Sequence, residues 1–162
     1  MKALEATKNI IMTVFKYIVG TTFGAMIVVS FLQVLFRYVL HNSLTWSEEL
    51  ARYLFVWSAF LGAAIAYDAA RHVEMDLVTS MLKPGMKKIF RIISYIVIAI
   101  FLYYVIQYGF QIVVKTMTQP SPALRIPMGY VYLAIPIGAI GMALVLINNI
   151  LEDLTGSRKE EE

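Results

Sequence analysis

The chain has 162 residues, of which 59% are hydrophobic and only 15% are charged, and its mean hydropathy is +0.69. A soluble domain has about 25% charged residues and could not bury so much apolar surface at this length, so the composition predicts an integral membrane protein. The net charge is +3, but the basic residues are dispersed, which argues against a nucleic-acid partner. The absence of cysteine excludes disulfides and thiolate metal sites.

Four apolar runs follow one another along the chain, and a helix needs about 20 such residues to cross a bilayer. Helices are expected because backbone groups in lipid must hydrogen-bond among themselves, and no run alternates as barrel strands do. The predicted spans are residues 13–38, 46–68, 89–114 and 127–151. We therefore expect one domain over residues 1–162, an all-α integral membrane protein with four transmembrane helices.

Small residues recur at four-residue spacing in several spans and would let helix backbones approach closely. The first span has Gly20 and Gly24, the second has Gly62 in a stripe of small residues, and the fourth has Gly138 with Gly141 nearby. Two interpretations stay open: packing within the four-helix unit, or docking on another membrane protein.

The run Trp46-Ser47-Glu48-Glu49-Leu50-Ala51-Arg52 places charges directly before the second span. Charged groups at membrane depth are costly unless they have partners. Thr45 and Glu48 have the spacing of a capping box, which predicts a helix start there. Glu48 and Arg52 are four residues apart and can form an ion pair on one helix face.

A second charged cluster, which includes Arg71, His72 and Asp76, follows the second span. Apolar residues then recur at helical spacing, so we expect a short amphipathic helix over residues 73–83 on the membrane surface. Asp68, His72 and Asp76 share one helical face, but an interfacial charge cluster explains them better than a metal site. Ten of the fourteen Lys and Arg fall on the side of the termini, which predicts that both termini are cytoplasmic.

The third connection contains Gln119-Pro120-Ser121-Pro122, and this density of proline predicts an ordered, non-helical loop. Pro127 suits the first turn of the fourth span, Pro136 predicts a kink within it, and residues 155–162 form a tail.

Most of the aromatic residues outside the loops are expected to anchor at the interfaces: Trp46, Tyr103, Tyr104 and Tyr108. Trp57 lies deeper, and facing lipid or facing a partner are equally good interpretations of its position.

A family resemblance rests on several runs: Arg37-Tyr38, Trp46-Ser47-Glu48-Glu49-Leu50-Ala51-Arg52 continuing to Trp57, Gly62-Ala63-Ala64, His72-Val73-Glu74-Met75-Asp76 and Ser121-Pro122-Ala123-Leu124 with Ile126-Pro127-Met128-Gly129. Together they resemble the small membrane subunit of tripartite ATP-independent periplasmic (TRAP) transporters, the DctQ family. The similarity covers residues 10–150. One departure is Asp68, where a neutral or basic residue is expected.

The resemblance implies a non-catalytic scaffold subunit in the inner membrane of a bacterium or archaeon. Its partners would be a large membrane subunit that carries substrate and sodium, a periplasmic substrate-binding protein, and phospholipids. The substrates would be organic acids such as C4-dicarboxylates or sialic acid. No catalytic, cofactor-binding or metal-binding residue is expected. The candidates for subunit contacts or structural roles are Arg37, Trp46, Glu48, Glu49, Arg52, Trp57, Gly62, Arg71, His72 and Asp76.

Two other functions remain open. The chain could be a self-sufficient homodimeric transporter in which Glu48 or Glu49 couples transport to protons, or a structural four-span protein unrelated to transport. An enzyme is not expected, because the sequence contains no nucleophile elbow, phosphate-binding loop or zinc-protease motif.

Overall fold

The computed structural model describes residues 2–42, 44–70 and 84–155. The predicted amphipathic helix at 73–83 lies outside the described residues, as do Arg71, His72, Asp76 and nearly all of the predicted tail. The described part of the chain forms five helices: α1 (Lys2–Tyr38), α2 (Thr45–Ala70), α3 (Pro84–Thr116), α4 (Gly129–Tyr132) and α5 (Ala134–Leu154).

Four segments are long and apolar enough to cross a membrane: Leu4–Tyr38, Thr45–Ala70, Ile89–Thr116 and Met128–Leu154. The predicted all-α membrane fold with four spans is therefore confirmed. The first helix begins at Lys2, well before residue 13, because residues 2–12 are mostly good helix formers. At 37 residues α1 is about 55 Å long, so it must extend past the hydrocarbon core, tilt, or do both.

The fourth span is interrupted near its beginning. α4 ends at Tyr132 and α5 begins at Ala134, while Leu133 between them keeps a helical backbone. Pro136 has no N–H to donate to the Tyr132 carbonyl, so the bond that would carry the helix through this turn is missing. The interruption expected at Pro136 therefore falls one turn before it.

Pro127 lies just before the fourth span, which begins at Met128, rather than in the first turn of its helix as predicted. It lies in the preceding loop, where it forms an antiparallel bridge with Pro120. The Met128 N–H donates to the Gln119 carbonyl at 2.9 Å, which holds this stretch against the start of the loop. The first residue of α4 is accordingly Gly129.

The helices form an open row rather than a closed bundle. α5 packs on α2 and α3 and touches α1, while α1 packs mainly on α2. One core cluster lies among α1, α2 and α5 and contains Met12, Phe15, Leu61, Ala64 and Val145. A second lies between α3 and α5 and contains Leu102, Ala139 and Leu146. The order across the row is α1, α2, α5, α3.

The glycines separate into packed and open positions. A Cβ added at Gly138 would lie 2.6 Å from the Phe60 carbonyl oxygen, and one at Gly141 would lie 2.5 Å from a ring carbon of Phe15. Both therefore permit close helix packing inside the subunit. A Cβ at Gly20, Gly24 or Gly62 would meet nothing within 4 Å. Of the two interpretations of the small residues, internal packing holds for α5, and these three positions take no part in it.

Candidate functional site

The helices of the row have two ends along their axes, and we name each end after the segments that lie there. The loop end carries the turn at residues 39–44 and the loop at residues 117–128. The terminus end carries the start of α1 and the end of α5. The described candidates with charged side chains, Arg37, Glu48, Glu49 and Arg52, all lie at the loop end.

At the loop end, α2 begins at Thr45, as predicted, but the capping box is not formed. Thr45 is already the first helical residue, and its side chain bonds to no described residue. The buried Ser47 closes the turn, since its hydroxyl donates to the Leu44 carbonyl at 2.7 Å. Glu48 is free of any capping role and turns toward Arg52.

Glu48 and Arg52 form the ion pair predicted from their spacing, with Nη2 and Oε1 2.9 Å apart. Both side chains are 67% exposed. An exposed pair of this kind contributes only a few tenths of a kcal/mol to stability, about 0.3–0.5. The two charges are therefore accessible to another molecule at little cost to the fold.

Glu49 binds the loop instead. Its Oε2 accepts hydrogen bonds from the backbone N–H groups of Ala123 at 2.6 Å and Leu124 at 3.4 Å. Its Oε1 accepts a bond from the Tyr53 hydroxyl at 2.6 Å, and that hydroxyl also lies 3.1 Å from the Met128 sulfur. One carboxylate thus joins α2 to the loop, and we call this group of contacts the Glu49 clamp.

The loop held by the clamp is ordered by its own backbone bonds, as its proline content predicts. The Ser121 N–H donates to the Ile126 carbonyl at 2.8 Å, and Ser121 is buried. Arg125 adopts a positive φ of 58°, which returns the chain toward the membrane helices. The amides of residues 123 and 124 are thereby left free to reach Glu49.

The remaining candidates of the loop-end half occupy three kinds of position. Arg37 and Trp46 are exposed, and the Arg37 guanidinium lies 5.8 Å from the centre of the Tyr38 ring. Trp57 is partly buried against the core cluster of α1, α2 and α5. The rest of its surface is accessible, so facing lipid and facing a partner both stay open for that part. Gly62 faces open space.

The terminus end contains two ion pairs that the sequence alone did not reveal. Lys8 on α1 binds Asp68 on α2 at 3.0 Å, with side chains only 8% and 21% exposed. Arg91 on α3 binds Asp153 on α5 at 3.1 Å. Asp153 also accepts a hydrogen bond from the Tyr95 hydroxyl at 2.7 Å. The unusual Asp68 is thus the counter-ion of a buried lysine.

The described residues contain no group of three His, Asp or Glu side chains that could hold a metal ion. Asp68 is engaged by Lys8, and the other two members of the predicted face, His72 and Asp76, lie outside the described ranges. The arrangement at both ends is that of carboxylates and cations joining helices and a loop to one another.

Residues 26–156 match the family described as "Tripartite ATP-independent periplasmic transporters, DctQ component". The chain belongs to this DctQ family. The matched region includes the whole Trp46–Arg52 run, the Glu49 clamp and the Arg91–Asp153 pair, whereas Lys8 precedes it. As a member of this family, the chain is a multi-pass membrane protein and a small permease subunit of a TRAP transporter.

Relatives of this DctQ-family chain are both separate small subunits and parts of longer permeases. A "Putative TRAP transporter small permease protein" of Haemophilus influenzae is 29% identical, with 80% of each chain covered. The "Sialic acid TRAP transporter permease protein SiaT" of the same species is 31% identical over 76% of this chain, which spans only 20% of that protein. The "C4-dicarboxylate TRAP transporter small permease protein DctQ" of Rhodobacter capsulatus is 33% identical over 60% of this chain and 44% of its own.

Proposed function

We propose that this chain is the non-catalytic scaffold subunit of a sodium-driven importer of organic acids. It would act with a large membrane subunit that binds substrate and sodium, and with a periplasmic substrate-binding protein. The observation that carries the proposal is the double pattern of relatives. The same unit occurs as a separate small permease and as one fifth of a longer permease chain.

That pattern supports a larger partner in the membrane. Where the unit is one fifth of a permease, the other four fifths lie in the same polypeptide. Where the relative is a separate small permease, a second chain would supply the rest. The open row of helices suits this role, because both α1 and α3 lie at its edges with one side uncovered.

The class of substrate is inferred from the named relatives, whose substrates are sialic acid and C4-dicarboxylates. Both are organic acids, so an organic acid is the proposed substrate class. The substrate would be carried by the large subunit, since the buried or partly buried charged groups Lys8, Asp68, Arg91, Asp153 and Glu49 join parts of this chain to one another.

The contact residues form the finer part of the proposal. Arg37, Trp46, Glu48 and Arg52 are exposed at the loop end, and Gly62 offers an open backbone surface on α2. Glu49 and Trp57 would act indirectly, by holding the loop and the helix pair. Arg71, His72 and Asp76, which lie outside the described residues, are proposed from the sequence as further contacts with the large subunit near the inner face of the membrane.

The distribution of basic residues supports placement in the inner membrane with the termini and the terminus end in the cytoplasm. The loop end would then face the periplasm, where the substrate-binding protein docks. The phospholipids of the bilayer would cover the apolar flanks that no protein covers.

The proposal is tested by measuring sodium-dependent uptake of a C4-dicarboxylate and of sialic acid in proteoliposomes. The large subunit and the binding protein are reconstituted with and without this chain. Uptake is expected only when all three proteins are present. Uptake by this chain alone would contradict a scaffold role.

The alternative is a homodimeric transporter coupled through Glu48 or Glu49. It predicts that the purified chain transports by itself and that a Glu48→Gln/Glu49→Gln double variant loses transport. The geometry favours the scaffold, because Glu49 is held by two backbone amides and a tyrosine hydroxyl and Glu48 pairs with Arg52.

A further inference from the structure

α3 has a polar face on the side away from its own subunit. Its inward face, packed toward α5, consists of Leu102, Gly109, Val113 and Thr116. At 100° per residue, Gln111 lies directly opposite Leu102. The exposed polar residues grouped around that opposite side are Tyr103, Tyr104, Gln107, Tyr108, Gln111 and Lys115, which we call the polar stripe.

Most of the polar stripe lies within the hydrocarbon core, and Lys115 lies at its edge. The uncharged part of α3 runs from residue 92 to residue 114, between Arg91 and Lys115, and its midpoint is Tyr103. Half the thickness of the hydrocarbon core is about 15 Å, or roughly ten helical residues. Gln107 and Tyr108 are therefore only about 6–8 Å from the midplane. Interfacial anchoring, expected from sequence for the tyrosines, does not fit this depth.

The flanks of the stripe show that this half of α3 is built for apolar surroundings. Phe110 and Ile112 are exposed on either side of it, and the exposed Val114 lies within its width, between Tyr103 and Gln107 on the helical wheel. A helix that protruded into water would not combine exposed apolar flanks with one narrow group of polar side chains. The stripe is thus a hydrogen-bonding strip within a hydrophobic surface.

The polar groups of the stripe are unpaired among the described residues, where no hydrogen bond joins them to a neighbour. The tyrosine rings pack on one another, with Tyr103 and Tyr104 edge to face at 5.5 Å and Tyr104 stacked on Tyr108 at 6.0 Å. Lipid tails offer neither donors nor acceptors, so hydroxyl and amide groups facing them would be costly. The stripe needs a partner that can hydrogen-bond.

The half of the same α3 face that lies toward the terminus end needs no hydrogen-bonding partner. Toward the terminus end it consists of Ile93, Ile96, Val97 and Ile100, all exposed and all apolar. Lipid satisfies this half completely. The chemistry therefore changes at the middle of one helix face, which locates the polar contact in the loop-end half of α3.

We infer that the polar stripe docks a transmembrane helix of the large membrane partner, one that presents hydrogen-bonding side chains or carbonyls. This inference rests on the proposed function. A second copy of this chain fits less well, because a symmetric pair about the stripe would bring the two Lys115 ammonium groups together. A different chain with an anionic or carbonyl group at that level complements Lys115.

The test compares two matched triple variants of the full chain, each co-expressed with the large subunit. The stripe variant is Tyr104→Phe/Tyr108→Phe/Gln111→Leu, which removes polar atoms and keeps the side chains similar in size. The control is Tyr17→Phe/Tyr38→Phe/Gln119→Leu, which makes the same changes at exposed positions outside the stripe. The readout is the amount of large subunit that co-purifies in mild detergent at increasing dilution.

An interhelical hydrogen bond in a membrane changes the association constant by about threefold. The stripe variant removes the polar groups of three side chains, so it should weaken the complex by roughly thirtyfold. The control should bind as the wild type does. The isolated stripe variant should keep its melting temperature, because the stripe bonds to no described residue. Equal co-purification of the two variants would overturn the inference.

A photo-crosslinking residue at position 111 or at position 93 provides a second measurement that does not depend on the triple variant. Position 111 is expected to crosslink to the large subunit, at higher yield than position 93. Crosslinking of position 111 only to lipid or to a second copy of this chain would contradict the stripe's assignment. If wild-type chain fails to co-purify the large subunit at all, the proposed function fails and the inference fails with it.

Discussion

At the scale of single residues, Glu48 and Glu49 are adjacent and identical in type but have different roles. Glu48 points outward and pairs with a residue four positions away, and Glu49 binds amides on a loop 74 residues along the chain. The first contact follows from helical spacing and was predictable. The second depends on how the loop folds back, so no pattern within the Trp46–Arg52 run could reveal it.

Replacement of Glu49 by Gln should loosen the loop. In the native protein the Ala123 N–H and the Tyr53 hydroxyl donate to different oxygens of the Glu49 carboxylate. A glutamine side chain has only one acceptor oxygen, so it cannot accept both hydrogen bonds. A hydrogen bond to a charged group is stronger than one between neutral groups, so its loss should free the Ala123 amide. Hydrogen exchange at the Ala123 amide should accelerate by about tenfold or more.

The matched control for that change is Glu48→Gln, one residue away. It removes an exposed ion pair and should alter neither the exchange rate at Ala123 nor the stability by more than about 0.5 kcal/mol. A similar acceleration in both variants would mean that Glu49 does not hold the loop.

Loss of one partner of the Lys8–Asp68 pair should destabilise the protein far more than loss of one partner of an exposed pair. Because both side chains are mostly buried, Asp68→Asn leaves the Lys8 ammonium without its counter-ion in a poorly hydrated place. Loss of one partner of a buried pair costs about 3 kcal/mol, and we expect a correspondingly lower melting temperature in detergent.

A double-mutant cycle tests that interpretation. Lys8→Met/Asp68→Leu removes both charges and should recover most of the stability lost in either single variant. Additive losses from the two changes would show that the charges do not depend on each other. The partners are 60 residues apart in sequence, so no local pattern links Asp68 to Lys8.

At the scale of elements, the contact between α2 and α5 depends on one glycine. Gly138→Ala would place a methyl group 2.6 Å from the Phe60 carbonyl oxygen, which is backbone and cannot swing aside. The helices must shift, at a cost of about 1–3 kcal/mol. Thermal unfolding of the isolated subunit should show the loss.

Gly24→Ala is the control for that change, since it is also a glycine within a helix. Its added methyl group meets nothing within 4 Å. Alanine favours a helix over glycine by up to about 1 kcal/mol, so this variant should unfold at the wild-type temperature or above. The same drop in both variants would rule out close packing as the cause.

The helices themselves were largely predictable, since uncharged runs and their flanking charges are local properties of the chain. The ends of the elements were less so. Pro127 was expected to begin a helix because of its fixed φ, but the bond between Met128 and Gln119 holds it in the loop. That bond is a tertiary property of the loop, which local sequence does not specify.

At the scale of the whole molecule, the sequence predicted the number of spans but not their arrangement. Small residues on three helices suggested close packing without saying which would find partners inside the subunit. The structure shows that Gly138 and Gly141 on α5 do so, and that Gly20, Gly24 and Gly62 do not. Apolar periodicity is weak as a guide here, because surfaces facing lipid and surfaces facing a neighbouring helix are equally apolar.

The central position of α5 has a consequence for how the protein is made. α1 and α2 are neighbours in the row and adjacent in the chain, so they can pair as soon as the ribosome has delivered both. α3 packs on α4 and α5, which leave the ribosome after it. During synthesis α3 therefore enters the bilayer before α5, the helix on which it packs, has been made. α5 is thus the helix that completes the packing of this unit, and truncation before residue 134 would leave α1 and α2 without Val145 in their shared core and α3 with only the short α4 beside it.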